Sequence, residues 1–218
     1  MTVRLTAVSL FAVLLGAVLG SCGGGPKEET QPQRADWIIR SHVTFLEADG
    51  KTLRAAPKEP LRLWMPYVVG DIYGAPNAGE VVPATFEPDL SFSLDLNQAI
   101  PKLAKALVPT AFSQHWMAIE PAQARIARLS PFVLPAEGIA PVGMSEWLDA
   151  DTGAKLMLIY VDRPARVRGD IVYEGRSLRF DIVAAEAGYL WIRQPEGSGV
   201  FQAAAPPAKV ALAVMPNP

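Results

Sequence analysis

The chain has 218 residues, half of them hydrophobic, with 20 Lys and Arg against 22 Asp and Glu and a formal net charge of -2. So even a balance offers no electrostatic footprint for nucleic acid or an anionic membrane surface. One cysteine and two histidines exclude a disulfide framework and a cysteine-based metal site.

At the N-terminus, Arg4 precedes an apolar run from Leu5 to Leu19 that only Thr6, Ser9 and Gly16 interrupt. The run stops at Gly20-Ser21-Cys22 and three glycines, short of the roughly 20 apolar residues a transmembrane helix needs. This is a signal-peptide layout, expected to be removed. Leu19-Gly20-Ser21-Cys22 resembles the lipobox of bacterial lipoproteins: Leu19 at the aliphatic position, Gly20 and Ser21 at the small positions, Cys22 as acceptor. The resemblance implies diacylglycerol on the Cys22 sulfur, cleavage before Cys22, and an acyl group such as palmitate on its new amine. Three chains make a strong anchor, since each buried methylene contributes about 0.8 kcal/mol. The alternative is an ordinary secretory signal with Cys22 as a free thiol. An exposed lone thiol in an oxidising compartment is a liability, which favours modification. Gly23 in place of Asp resembles the pattern of lipoproteins sent to the outer membrane, where a cell has one; otherwise the outer face of the cytoplasmic membrane is expected.

Residues 23–34, GGGPKEETQPQR, hold no apolar side chain able to join a core and read as a tether. The expected organisation is therefore a signal peptide over 1–21, a tether over 22–35 and a single β-rich domain over 36–218.

Val43 and Phe45 alternate with His42 and Thr44 in a first strand, and Asp49-Gly50 marks a hairpin turn with a return strand over 52–55. Residues 61–69 read as one strong strand, in which Pro66 calls for an edge position or a bulge. Val82, Ala84 and Phe86 alternate before Pro88-Asp89, and Phe92, Leu94 and Leu96 after it. This hairpin resembles those of immunoglobulin-like and carboxypeptidase-regulatory-like domains of bacterial surface proteins. Ile100, Leu103, Ala104 and Leu107 carry helical spacing, so one short amphipathic helix is predicted over 98–108, with Asn97 as cap and Pro109 as stop. Residues 125–133 read as a strand. The final third reads as a β meander with strands over 144–148, 155–161, 165–172, 178–184, 188–193 and 210–215. The fold class is thus mainly β, an antiparallel β-sandwich or open barrel with one short helix. The last third also resembles uncharacterised bacterial lipoproteins, a likeness that brings no activity with it.

Few residues could carry chemistry. Ser113-Gln114-His115 is the nearest approach to a nucleophile and base, without a G-x-S-x-G elbow anywhere. His42 falls in the polar register of its strand. Asp149-Ala150-Asp151-Thr152-Gly153 echoes half a calcium loop, but lacks the later ligands and is equally the composition of a hairpin loop. Arg168-Gly169-Asp170 spells an integrin-recognition tripeptide inside a predicted strand. Trp37, Trp64, Trp116, Trp147 and Trp191 are expected in the core, yet one or two exposed beside Tyr67 or Tyr73 would make a stacking platform for sugars. The first reading is a non-enzymatic, lipid-anchored structural or interaction module with no cofactor, whose partners are the bilayer through acylated Cys22 and an envelope protein or glycan. A binder of carbohydrate or a small apolar ligand is the alternative, and a hydrolase around His115 the third.

Overall fold

Strand β1 (Ile38–Phe45) buries Ile39, Val43 and Phe45 and exposes Arg40 and His42, the period-2 pattern of a strand with one wet face. It belongs to a computed structural model that describes residues 37–69, 79–80, 84–100, 117–173, 176–193 and 199–217. At the Asp-Gly turn Gly50 takes φ +67°, and Asp49 Oδ1 accepts the backbone N–H groups of Lys51 and Thr52, each at 2.8 Å. The return strand expected over 52–55 is only a stub, a bridge between Leu46 and Leu53 with the Arg54 N–H donated to Phe45 O at 3.0 Å. Pro57 and Pro60 then remove the donors a longer ladder would need.

The remaining strands are β2 (Leu61–Trp64), β3 (Pro66–Val69), β4 (Gly79–Glu80), β5 (Ala84–Thr85), β6 (Ser91–Asp95), β7 (Met117–Glu120), β8 (Ile126–Leu129), β9 (Phe132–Pro135), β10 (Met144–Asp149), β11 (Lys155–Val161), β12 (Ala165–Tyr173), β13 (Arg176–Ala184), β14 (Gly188–Arg193), β15 (Val200–Ala204) and β16 (Val210–Met215). The protein is mainly β, as expected. A large sheet runs β6-β1-β16-β10-β11-β14-β15-β13-β12-β7 with β3, β4 and β8 attached, and a small sheet runs β5-β2-β9. The large sheet is not closed into a barrel. It is mixed rather than wholly antiparallel, because β1 lies parallel to β16 and β13 parallel to β15.

Two segments read as single strands are each broken by a proline. Residues 61–69 divide into β2 and β3, and the strand expected over 125–133 divides into β8 and β9. One antiparallel register nevertheless runs through both breaks: Leu61 faces Pro135, Trp64 faces Phe132, Tyr67 faces Leu129 and Val69 faces Ala127. Between the halves, Ser130 donates its N–H to Pro66 O at 3.2 Å. Pro66 and Pro131 cannot donate, so the ribbon bends there and passes from the small sheet into the large one. Met65, at the break between β2 and β3, is fully buried in the core with Trp37, Phe92 and Trp147.

Most of the helix expected over 98–108 lies outside the described residues. Its start is a 3-10 turn over Leu96–Ala99, and the cap is Asp95 rather than Asn97, since Asp95 Oδ1 accepts the Asn97 N–H at 3.0 Å.

The centre of the large sheet is apolar on both faces, which explains the near-continuous KLMLIYV of β11. Leu156, Leu158 and Tyr160 of β11, with Trp191 of β14, join one core with Trp37, Phe92 and Trp147. Ile159 and Val161, with Ile192, join a second core on the opposite face with Phe180 and Phe201. Phe180 and Phe201 stack with centroids 4.5 Å apart.

Candidate functional site

The large sheet forks at β11. β10 pairs only with its beginning, Trp147 to Leu156 and Leu148 to Lys155, whereas β8 takes the same strand from Leu158 to Val161. Met157 lies between the two prongs. A cleft of about 390 Å³ opens there, lined by β8 and the Ser130-Pro131 bend, by β10, and by Met157, Ile192 and Phe201.

Register decides which side chains reach it. Trp147 and Leu156 turn into the first core, so their neighbours Glu146, Lys155 and Met157 lie on the other face. Ile192 pairs with Met157, and Arg128 pairs with Ile159, which places both on that same face. Met157, half-buried, is the accessible apolar floor, and it packs against the second core that contains buried Ile192 and Phe201. Across the rim, Lys155 Nζ donates to Glu146 Oε1 at 2.8 Å. Met144, 47% exposed, stands at the mouth. Ser145 Oγ accepts the Val133 N–H at 3.3 Å and ties β10 to β9 behind the cleft.

The residues singled out from the sequence fall elsewhere. Cys22, Ser113, His115, Trp116 and Tyr73 lie outside the described residues. His42 is exposed on β1, its Nε2 3.3 Å from Thr44 Oγ1. Trp37, Trp147 and Trp191 are buried, with Trp147 and Trp191 edge to face at 5.9 Å, and half-buried Trp64 packs on Phe132 at 5.6 Å. Arg168-Gly169-Asp170 sits in the middle of β12 between β7 and β13, Arg168 bridging Glu120 and Asp170 bridging Arg179.

Asp149 is a structural carboxylate. It is 5% exposed, accepts the N–H groups of Asp151 and Thr152 at 3.0 and 3.2 Å, and pairs with Arg193 at the edge of the first core. Burial pushes its pKa up, but those N–H groups, the Thr152 hydroxyl and the Arg193 charge outweigh it and hold the carboxyl below its usual value. The Asp149 to Gly153 segment is therefore a turn whose first carboxylate is occupied by the turn itself. Among the described residues no group of three or more His, Cys, Asp and Glu could hold a metal ion. Burial beside Tyr160 and Asp95 pushes the Tyr189 phenol far up, and its hydroxyl donates to Leu96 O at 2.8 Å.

Neither Arg128 nor the Glu146 and Lys155 pair was marked in the sequence. The one available signal was the Asp149-Gly153 hairpin, whose register brings Glu146 and Lys155 close together; the fork that opens the cleft beside them depends on β8, distant in the chain. No family model, curated protein or solved structure matches this chain.

Proposed function

We propose that the protein is a lipid-anchored envelope protein whose β domain serves as a non-enzymatic interaction module. The observation that carries this reading is Leu19-Gly20-Ser21-Cys22 at the end of the apolar run, followed by the tether over 23–34. Acylated Cys22 holds the chain at the bilayer, and the tether keeps the folded part clear of the lipid. Gly23 after the cysteine favours the outer membrane in a cell that has one. The test is metabolic labelling with palmitate followed by membrane fractionation. The wild-type chain incorporates label and sediments with membranes, and Cys22→Ser abolishes the label and releases the chain. A labelled, membrane-bound Cys22→Ser protein defeats the reading.

The cleft at the fork favours a second reading, that the module binds a small apolar ligand. Its volume falls within the roughly 300–1,000 Å³ of small-molecule sites, and its apolar floor with a few charged groups at the rim is the usual composition of such sites. Burial of Trp37, Trp147 and Trp191 withdraws three of the five tryptophans from any sugar-stacking platform.

A further inference from the structure

We propose that the cleft at the fork is a site for a free amino acid with an apolar side chain, its two termini held by Lys155 and Glu146 and its side chain against Met157. The proposal rests on the ligand-binding reading of the cleft and is independent of the anchor. Only side chains with exposed surface can be touched, so the contact falls to half-buried Met157 on the floor and to Met144, Phe132 and Pro141 beside it. The two thioethers are unbranched and adapt to the shape laid on them, while Phe132 is held from behind by Trp64 at 5.6 Å. At about 390 Å³ the cleft stands at the small end of the roughly 300–1,000 Å³ of small-molecule sites, which suits a compact ligand and not an extended chain.

Charge selects the termini. Of the three charged residues among the described lining, Arg128 has a partner of its own, which leaves Lys155 and Glu146, joined at 2.8 Å and neutral as a pair. A net anion or a net cation gains from one member and is repelled by the other, whereas a zwitterion gains from both. The pair need not separate. Lys155 Nζ uses one of its three N–H donors on Glu146 Oε1, and Glu146 keeps Oε2 as an acceptor. The ligand carboxylate accepts a second Nζ donor while its ammonium donates to Oε2, so that four charges alternate in sign. An amino acid carries both charges on one carbon, side by side as those of the pair are, which favours it over zwitterions whose charges are far apart. Lys155 and Glu146 side chains are 56% and 27% exposed, so they are reached without opening a core, but water screens them and neither end of the ligand suffices alone. Register joins the two ends: one rung beyond Trp147 and Leu156, Glu146 comes level with Met157.

The test is isothermal titration calorimetry on the full-length chain carrying Cys22→Ser, which needs no detergent to compete for the cleft. The probes are leucine, glycine, N-acetyl-leucine, leucinamide and N-acetyl-leucinamide. Leucine is expected to bind saturably at one per chain and glycine not at all, while blocking either terminus should weaken leucine at least about tenfold. Lys155→Gln and Glu146→Gln, both at rim positions, should each weaken leucine by about tenfold. Each substitution should spare the probe that lacks its charge: Lys155→Gln leaves leucinamide no weaker, and Glu146→Gln leaves N-acetyl-leucine no weaker. Met157→Ala, which trims the floor, should weaken leucine by about threefold or more. N-acetyl-leucinamide binding as tightly as leucine, or leucine indifferent to both charge substitutions, overturns the amino-acid class and leaves the ligand-binding reading standing. Leucine binding that Met157→Ala leaves unchanged lies off the floor and overturns the site. No binding of leucine or of N-acetyl-leucinamide overturns the proposal and the ligand-binding reading together.

Discussion

Gly188 opens β14 at φ +138°, a conformation that residues with a Cβ rarely adopt, and its missing side chain is where the Trp37 indole lies. A Cβ built there would sit 2.5 Å from Trp37 Cζ2 and 3.1 Å from Cη2. Gly188→Ala therefore meets two penalties. Holding alanine in a sparsely populated backbone region costs about 1–3 kcal/mol, and forcing a methyl into a packed core costs about 1–3 kcal/mol more. Trp37 has little room to yield, because it is 5% exposed and packs edge to face on Tyr189 at 5.1 Å. The sum, about 2–6 kcal/mol, corresponds to a fall in Tm of roughly 5–20 °C for a chain of this size. Urea denaturation followed by tryptophan fluorescence measures it, with an unchanged slope showing that the folded state is retained. Gly153→Ala is the control: its φ is +70° but nothing lies within 4 Å of its Cβ, so only the backbone penalty of about 1–2 kcal/mol should appear. Trp37→Leu combined with Gly188→Ala should cost less than the two single changes added, since the smaller side chain vacates the clash. If Gly188→Ala were no worse than Gly153→Ala, or the double change strictly additive, the proposed packing of Trp37 beneath β14 would be wrong.

Leu158→Ala, at a fully buried position on the wall of the first core, should destabilise by about 2–5 kcal/mol in the same denaturation assay. Tyr189→Phe removes the hydrogen bond to Leu96 O and should cost about 0.5–1.5 kcal/mol, with no pH dependence below the usual phenol range because the wild-type hydroxyl stays protonated. Asp149 has a folded-state pKa below its ordinary 3.8, so its contribution to stability is complete above that pH and is lost as pH falls through the depressed value. Asp149→Asn should therefore lower Tm at neutral pH and converge on the wild type only as pH falls below the depressed carboxyl pKa, read from Tm against pH.

Several strands were legible because their patterning is local. The strands over 155–161, 188–193 and 210–215 were read with the bounds they have, each an apolar run between turn residues. β15 went unread because VFQAA is short, half alanine-like in character, and takes its place only by pairing with β13 and β14. The double fate of residues 61–69 was hidden for a different reason. Alternation records which side chains face inward but not which sheet they face from, so Pro66 announced an interruption without announcing a change of partner. The parallel pairing of β1 with β16 joins the two ends of the described chain, a contact that no window of sequence contains. For the candidate site, Glu146 and Lys155 look like ordinary solvent-facing strand residues, and only the cleft beside them gives them a role.

The corner and the cleft have one physical origin. Pro66 and Pro131 deprive the ribbon of two donors at neighbouring rungs, and the ribbon turns out of the large sheet there. β8, on the near side of the turn, has already taken β11 from Leu158 onward, so β10 can reach only Leu156 and Lys155 before it meets the departing chain. β10 instead continues along β16, with which it pairs over all six of its residues from Met144 to Asp149. Met157 is left where neither prong closes over it. An opening made this way depends on backbone donors that are missing from the chain, not on a ligand having pushed the side chains apart. Its walls belong to two packed cores, and at its rim stand the 56% and 27% exposed side chains of Lys155 and Glu146.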